Sequence, residues 1–209
     1  MLELRNISFS YKTLIPFKKT NIINNLSLKF DKGIYLIIAP NGWGKTTLLK
    51  IIKGFLIPDS GEIFINKTKT DFKNYPSNYF SLFSNPIRSL YPQLTILENI
   101  KLFLTLEDIK INKERIYNLA TMLKIENYLT KKFEELSTGT AAKAIFLKIF
   151  MEEKDFILLD EPFANIDDKS SELIKNHIKK IENNKIIIIA TSKKSEVEGF
   201  INEKNILYY

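Results

Sequence analysis

The chain has 209 residues, 44% hydrophobic and 26% charged, an ordinary globular composition that excludes intrinsic disorder and suits one large domain or two small lobes. Lys+Arg 31 against Asp+Glu 24 leaves +7, compatible with an acidic membrane face, nucleic acid or a polyphosphate ligand. Only Arg5, Arg88 and Arg115 are arginines, and base readers depend on that fixed fork, so no nucleic-acid partner is expected.

With no cysteine and a single histidine, His177, the chain offers no disulfide framework, thiolate zinc site, cysteine nucleophile or histidine metal cluster. A reducing cytosol fits. The opening MLELRNISFS lacks the layout of a signal peptide, and the longest apolar runs, Ile34 to Ala39 and Ile186 to Ala190, fall far short of the ~20 residues that span a bilayer. A membrane role therefore requires a separate partner chain.

Leu2 to Phe9 and Ile22 to Phe30 read as strands, antiparallel in layout, with Lys12 to Asn21 as a polar connection containing Pro16. After the turn Asp31-Lys32-Gly33, IYLIIA is apolar on both faces, as in a strand buried inside a sheet. From Lys45, KTTLLKIIKGF has helical apolar spacing and stops at Gly54. Asp59-Ser60-Gly61 is a turn before a short strand, Glu62 to Ile65, and Tyr79 to Phe83 is a further strand. Thr95 with Glu98 forms a capping-box start for one helix, and Lys113 to Leu123 has the spacing of another. Residues of about 86 to 137 thus read as an inserted helical lobe. Thr138 to Glu153 is expected as a helix, DFILLD as a buried strand, Asp168 to Glu182 as a helix, KIIIIA as a buried strand and Asn205 to Tyr208 as an edge strand. Buried strands alternating with helices predict an α/β fold with a mainly parallel sheet.

The segment Ala39-Pro40-Asn41-Gly42-Trp43-Gly44-Lys45-Thr46-Thr47 departs from G-x-x-x-x-G-K-[ST] only in its first residue, and it lies between a strand and a helix as that pattern requires. A loop entering a helix N-terminus aims backbone N–H groups and the positive end of the helix dipole at one point, where phosphate is the natural occupant. Lys45 then reaches the β- and γ-phosphates, the Thr46 hydroxyl ligates Mg²⁺, and Thr47 lies toward the α-phosphate. Asp160 and Glu161 end the apolar run DFILLDE, at the carboxyl edge where α/β sheets bind ligands. Asp160 is placed to hold Mg²⁺ through water, and Glu161 to accept a proton from water attacking the γ-phosphate.

These two elements, with LSTGT at 136 to 140 just before DFILLDE, resemble the ATP-binding cassette family of transport ATPases over the whole chain. Leu136, Ser137 and Gly139 match the family's LSGGQ signature, while Thr138 and Thr140 replace its first Gly and its Gln. Lys143 and Lys148 follow where the family often has basic residues. The resemblance implies a P-loop NTPase core of about 1–85 and 138–209 with an N-terminal antiparallel element, and a helical subdomain of about 86–137. It implies that Tyr11 stacks on adenine and that Asn165-Ile166-Asp167 is the D-loop, with Asp167 as its aspartate. It also implies two cassettes sandwiching two nucleotides, so that Ser137 and Gly139 serve the partner's nucleotide.

Two departures stand out. The family's glutamine after the Tyr79 to Phe83 strand is absent from Ser84-Asn85-Pro86, leaving Asn85 as a shorter amide toward Mg²⁺, while Gln93 in YPQLT aligns poorly. The family's switch histidine is replaced by Lys193 in ATSKK, which retains positive charge near a γ-phosphate but offers no neutral imidazole. The resemblance thus implies ATP and Mg²⁺ as cofactors, a separately encoded permease and a second cassette as partners, and residence on the cytoplasmic face of the membrane. The short C-terminus resembles compact ATPases that export peptides, drugs or lipids. A degenerate regulatory subunit and a non-transport cassette of translation or DNA repair are the alternatives.

Overall fold

The computed structural model describes residues 1–14, 17–84, 89–197, 199–201 and 205–209. In chain order the elements are β1 (Leu2–Leu14), β2 (Phe17–Phe30), β3 (Gly33–Ile38), α1 (Lys45–Lys53), β4 (Ser60–Ile65), β5 (Thr68–Lys69), β6 (Phe80–Phe83), α2 (Ile96–Leu106), α3 (Lys113–Met122), α4 (Thr138–Glu152), β7 (Phe156–Asp160), α5 (Asp168–Ile181), β8 (Ile186–Thr191) and β9 (Ile206–Tyr208). Two compact units form: Met1–Leu82 with Asp155–Asp160 and Glu182–Tyr209, and Phe83–Lys154 with Glu161–Ile181.

The first unit has an antiparallel sheet in the order β2-β1-β4-β5. The expectation that Lys12 to Asn21 is a polar connection is corrected: the β1–β2 ladder runs on through Tyr11↔Thr20, Lys12↔Lys19 and Leu14↔Phe17. Backbone pairing sustains this hairpin after the apolar alternation has ended, so side-chain polarity there does not report the strand. Asn6 (φ 53) and Asn25 (φ 48) adopt left-handed backbone where the register shifts between Leu4 and Phe9, a conformation asparagine tolerates better than most residues.

The other sheet has the order β6-β7-β8-β3-β9, with β7, β8, β3 and β9 running parallel. β7 and β8 carry uninterrupted apolar runs because both faces are buried. This is the mixed α/β architecture expected, including β9 at an edge.

α1 is only nine residues long, too short to be stable alone. Leu48, Leu49, Ile51 and Ile52 are essentially inaccessible, and each contributes roughly 1.5–3 kcal/mol by leaving water. They join Leu2, Phe30, Ile37, Phe80, Leu158 and Ile188 in one apolar core. The helix closes at Gly54 (φ 83), whose N–H returns to Ile51 O and Lys50 O. Tertiary packing thus fixes the start of α1 relative to the end of β3.

In the second unit α2 begins with the expected capping box: Thr95 Oγ1 accepts from Glu98 N at 3.1 Å and the Glu98 carboxylate accepts from Thr95 N at 2.8 Å. The carboxylate also accepts from the Thr95 hydroxyl at 2.8 Å, and the hydrogen bonds from Thr95 N and this hydroxyl hold the Glu98 carboxyl below the usual carboxylate range. Asn99, fully buried, donates to the Tyr91, Leu94 and Thr95 carbonyls and accepts from Tyr91 N. Phe146 on α4 stacks on Phe83, and Phe150 lies 4.3 Å from the His177 ring of α5.

Candidate functional site

In the first unit the end of β3 is tied to the neighbouring strand by Ala39 N donating to Thr191 O at 3.2 Å. From there the chain leaves the sheet and enters α1 six residues later. The turn needs left-handed backbone at Gly42 (φ 84) and Gly44 (φ 110). At Gly44 a Cβ would lie 2.6 Å from Ile22 Cγ2, so only glycine both takes this conformation and lets the loop press against β2. Gly44 is the N-cap of α1 and no side chain caps the helix, so its first N–H groups are left to a ligand or water.

Lys45 is 6% exposed. Its ammonium folds over the loop and donates to Ala39 O at 2.9 Å and Pro40 O at 3.2 Å. The adjacent Thr46 hydroxyl donates to Asp160 Oδ2 at 2.6 Å. Asp160 stands at the carboxyl end of β7, paired with Ala190 of β8, and β8 in turn pairs with β3. Sheet register therefore brings the carboxylate to the helix start. A hydroxyl and a carboxylate in contact are hard oxygen donors, the class that Mg²⁺ takes from proteins while water and phosphate fill the other positions. No cluster of three His, Cys, Asp or Glu able to hold a metal occurs among the described residues, and Mg²⁺ held together with a nucleotide needs none.

Tyr11 lies beside this loop, its hydroxyl 3.3 Å from Thr47 Oγ1 and its ring edge-on to Phe9. At 43% exposure the ring presents a free aromatic surface. Trp43, between the two glycines, packs its ring 4.4 Å from that of Tyr209. Sequence reasoning missed Tyr209, because nothing in its neighbourhood marks a partner across 166 residues.

Lys193 follows β8 by two residues, with its N–H on Thr191 Oγ1 at 3.1 Å. Its ammonium is paired with Glu196 at 3.3 Å, and Thr191 Oγ1 also meets Glu196 Oε2 at 3.4 Å. Glu196 was not anticipated either; its i,i+3 spacing from Lys193 was the available signal.

The second unit holds Glu161, Ser137, Gly139 and Asp167. Glu161 has φ 46, an uncommon conformation for a non-glycine residue, and its carbonyl accepts from Ala164 N at 3.4 Å. Ser137 is the N-cap of α4: its hydroxyl accepts from Thr140 N at 3.2 Å and lies 2.9 Å from Thr140 Oγ1. The threonine that replaces the signature's glutamine thus engages the signature serine. A Cβ on Gly139 would lie 3.0 Å from Asn165 O, which places the signature turn directly against the Asn165-Ile166-Asp167 segment. Asp167 accepts from Ser170 N at 2.9 Å and faces Lys143 at 3.7 Å. The hydrogen bonds from Ser170, then Lys143, hold its carboxyl below the ordinary range. Gln93 donates to Glu134 at 2.7 Å. Asn85 lies outside the described residues.

Comparisons with known proteins agree with these features. The ABC transporter family model matches residues 23–164. The ABC transporter ATP-binding protein YxdL of Bacillus subtilis is 32% identical over 180 residues, covering 82% of this chain and 68% of that protein. The spermidine/putrescine import ATP-binding protein PotA of Legionella pneumophila is 28% identical over 186 residues, covering 87% of this chain and 49% of that protein. The chain spans about half the length of PotA. The molybdate/tungstate import ATP-binding protein WtpC of Pyrococcus abyssi is 33% identical over 170 residues, covering 80% and 47%. Among solved structures, the dimeric structure of MJ0796, a bacterial ABC transporter cassette, aligns with a TM-score of 0.85 at 25% identity, over 100% of this chain and 94% of that one. The chain belongs to the ABC transporter family, as its ATPase domain.

Proposed function

We propose that this chain binds Mg-ATP and hydrolyses it as the nucleotide-binding subunit of an ABC transporter, acting with a second cassette and a separately encoded transmembrane permease. The observation that carries the reading is the contact between Thr46 and Asp160 beside the Lys45 loop, a phosphate and Mg²⁺ donor set on a chain of this family. In this reading residues 1–209 are one cassette, with a core of about 1–85 and 138–209 and a helical subdomain of about 86–137.

The backbone N–H groups of residues 41–47 and the Lys45 ammonium bind the nucleotide phosphates, and Tyr11 offers its ring to adenine. Thr46 and Asp160 would hold Mg²⁺, with Asn85 as a further donor, and the ion would supply neutralisation of the phosphate charge. Glu161 accepts the proton of the attacking water as the bond from the γ-phosphorus to the bridging oxygen breaks, giving ADP and phosphate. Ser137 and Gly139, with the α4 N-terminus, meet the γ-phosphate on the partner cassette, and Asp167 stands in the D-loop. Lys193 serves the γ-phosphate by exchanging Glu196 for it.

The solved structure of a post-hydrolysis state of MJ0796 bound to ADP and Pi, similar to this chain at a TM-score of 0.84, supports nucleotide turnover on this fold. No helix among the described residues is long and apolar enough to cross a membrane, and placement at the cytoplasmic membrane face through a permease belongs to the proposal. Relatives named as import proteins give export of a peptide, drug or lipid no support, so the proposal carries no direction. A regulatory cassette with weak hydrolysis is the second reading, favoured by the ion pair that engages Lys193. Equilibrium Mg-ATP binding to wild type and Lys45→Ala tests the proposal. Removing the ammonium should weaken binding about ten- to hundred-fold, the worth of a charged hydrogen bond or more, and equal affinities would overturn it.

A further inference from the structure

Trp43 is the only tryptophan of the chain and sits at the middle of the phosphate loop, between two glycines in left-handed conformation. The Lys45 ammonium holds the first carbonyls of the loop, and at its middle, with glycine on each side, the Trp43 ring is the large apolar anchor. That ring is partly buried against the core of the first unit. Its aromatic neighbour is Tyr209, with centroids 4.4 Å apart and planes inclined by 34°.

Tyr209 is itself fixed by backbone. β9 runs parallel to β3 through Leu36↔Ile206, Ile37↔Leu207 and Ile38↔Tyr208, and Tyr209 N continues the ladder by donating to Ile38 O at 3.1 Å. Ile38 is the last residue of β3 before the loop. The same strand end is therefore gripped twice, at its backbone and, five residues on, at Trp43. Partial burial of the Tyr209 side chain also pushes its hydroxyl above the ordinary tyrosine range.

We infer that Tyr209 is a positioning residue for the phosphate loop, holding Trp43 so that the glycine-flanked turn stays in its phosphate-binding conformation, and that displacement of β9 lowers nucleotide affinity. The inference rests on the nucleotide reading above. An aromatic pair of this geometry contributes on the order of 0.5–1.5 kcal/mol beyond area burial, which sets the size of the effect if the loop must be ordered to bind.

The test uses the full chain with Tyr209→Ala and Tyr209→Phe, unlabelled Mg-ATP, and the fluorescence of Trp43. Tyr209→Ala should shift Trp43 emission to longer wavelength without nucleotide and weaken Mg-ATP binding by about 2- to 10-fold, the contact energy above expressed as a ratio. Tyr209→Phe should restore both. In a Trp43→Ala background Tyr209→Ala should change affinity no further, a coupling that a general loss of stability would not produce. Unchanged affinity in Tyr209→Ala, failure of Tyr209→Phe to restore it, or an undiminished loss in the Trp43→Ala background overturns the inference. A wild-type chain that fails to bind Mg-ATP overturns the nucleotide reading and this inference together. A wild type that binds Mg-ATP no better than Tyr209→Ala overturns this inference alone.

Discussion

Thr46 Oγ1 donates to Asp160 Oδ2 at 2.6 Å across 114 residues of sequence. Two consecutive parallel strand pairings, β7 with β8 and β8 with β3, place the two ends of this contact at the same sheet edge. The hydroxyl gives its hydrogen to the carboxylate and keeps its oxygen lone pairs for a cation, so the contact fixes both oxygens as donors at one place. Thr46→Ala and Asp160→Asn should each reduce Mg-ATP affinity toward that measured with a chelator, leaving metal-free ATP binding near the wild-type value. Titrations with and without Mg²⁺ measure this; full Mg²⁺ enhancement in either variant would remove that side chain from the metal site.

Glu161→Gln keeps the shape of the side chain and removes its capacity to take a proton. General-base contributions are about 10²–10⁴-fold, so ATP turnover should fall in that range while Mg-ATP affinity stays within about two-fold. Phosphate release assays on the assembled transporter supply the measurement. Turnover equal to wild type would dismiss Glu161 as the base.

Lys193 is exposed while its partner Glu196 is half-buried, so the pair is open to solvent on the lysine side and contributes little to stability. If Lys193 meets the γ-phosphate in the transition state, Lys193→Ala should lower kcat well beyond any change in affinity, and Lys193→His should retain more activity. Near-wild-type kcat in both variants would assign the lysine to solvent. Glu196→Gln should leave the lysine without its competitor and raise kcat with little change in KM.

How much of this was legible in the sequence depends on where the information lies. The loop from Ala39 to Thr47, the Thr95–Glu98 box and the Asp160–Glu161 strand end are local patterns, and the structure forms the loop, the capping box and the strand where the residues place them. The β1–β2 hairpin extends beyond its apolar alternation because backbone ladders are indifferent to lysines facing water. Tyr209 on Trp43 and Glu196 on Lys193 depend on tertiary placement or a weak local spacing, and no motif announces them. Thr140 shows a third limit: its identity reads as a departure from a signature, but its hydroxyl meets Ser137 only once α4 has formed.

Ser137 has a structural duty as N-cap of α4 as well as its proposed role toward a partner's nucleotide. Ser137→Ala should cost about 1 kcal/mol of stability through loss of the cap, read from urea unfolding. Ser137→Asp should recover the cap but place a negative charge before the γ-phosphate, so that stability returns and ATPase activity does not. Recovery of both would confine Ser137 to capping.

Burial first, then the charges of Lys180 and Arg115, push the His177 imidazole below its ordinary value of 6.5. The unfolded chain therefore binds this proton more readily than the folded one, and stability falls as pH drops through and below 6.5 toward the lowered folded value. Above that range the contribution is fully present. His177→Gln should flatten this part of the profile, compared by urea midpoints at pH 7.5 and 5.5. An identical slope in wild type and variant would exclude His177 as its source.

The hydrogen bonds from Lys45 to Ala39 O and Pro40 O have a bearing on selectivity. A cation already solvated by two carbonyls is not a bare attractor that collects any passing anion. An incoming anion gains at this ammonium only the difference between its own contacts and those it displaces. Contacts made at the same time to the helix-start amides offset what the ammonium gives up. Affinity at the loop is therefore governed as much by the backbone amides as by the one buried cation.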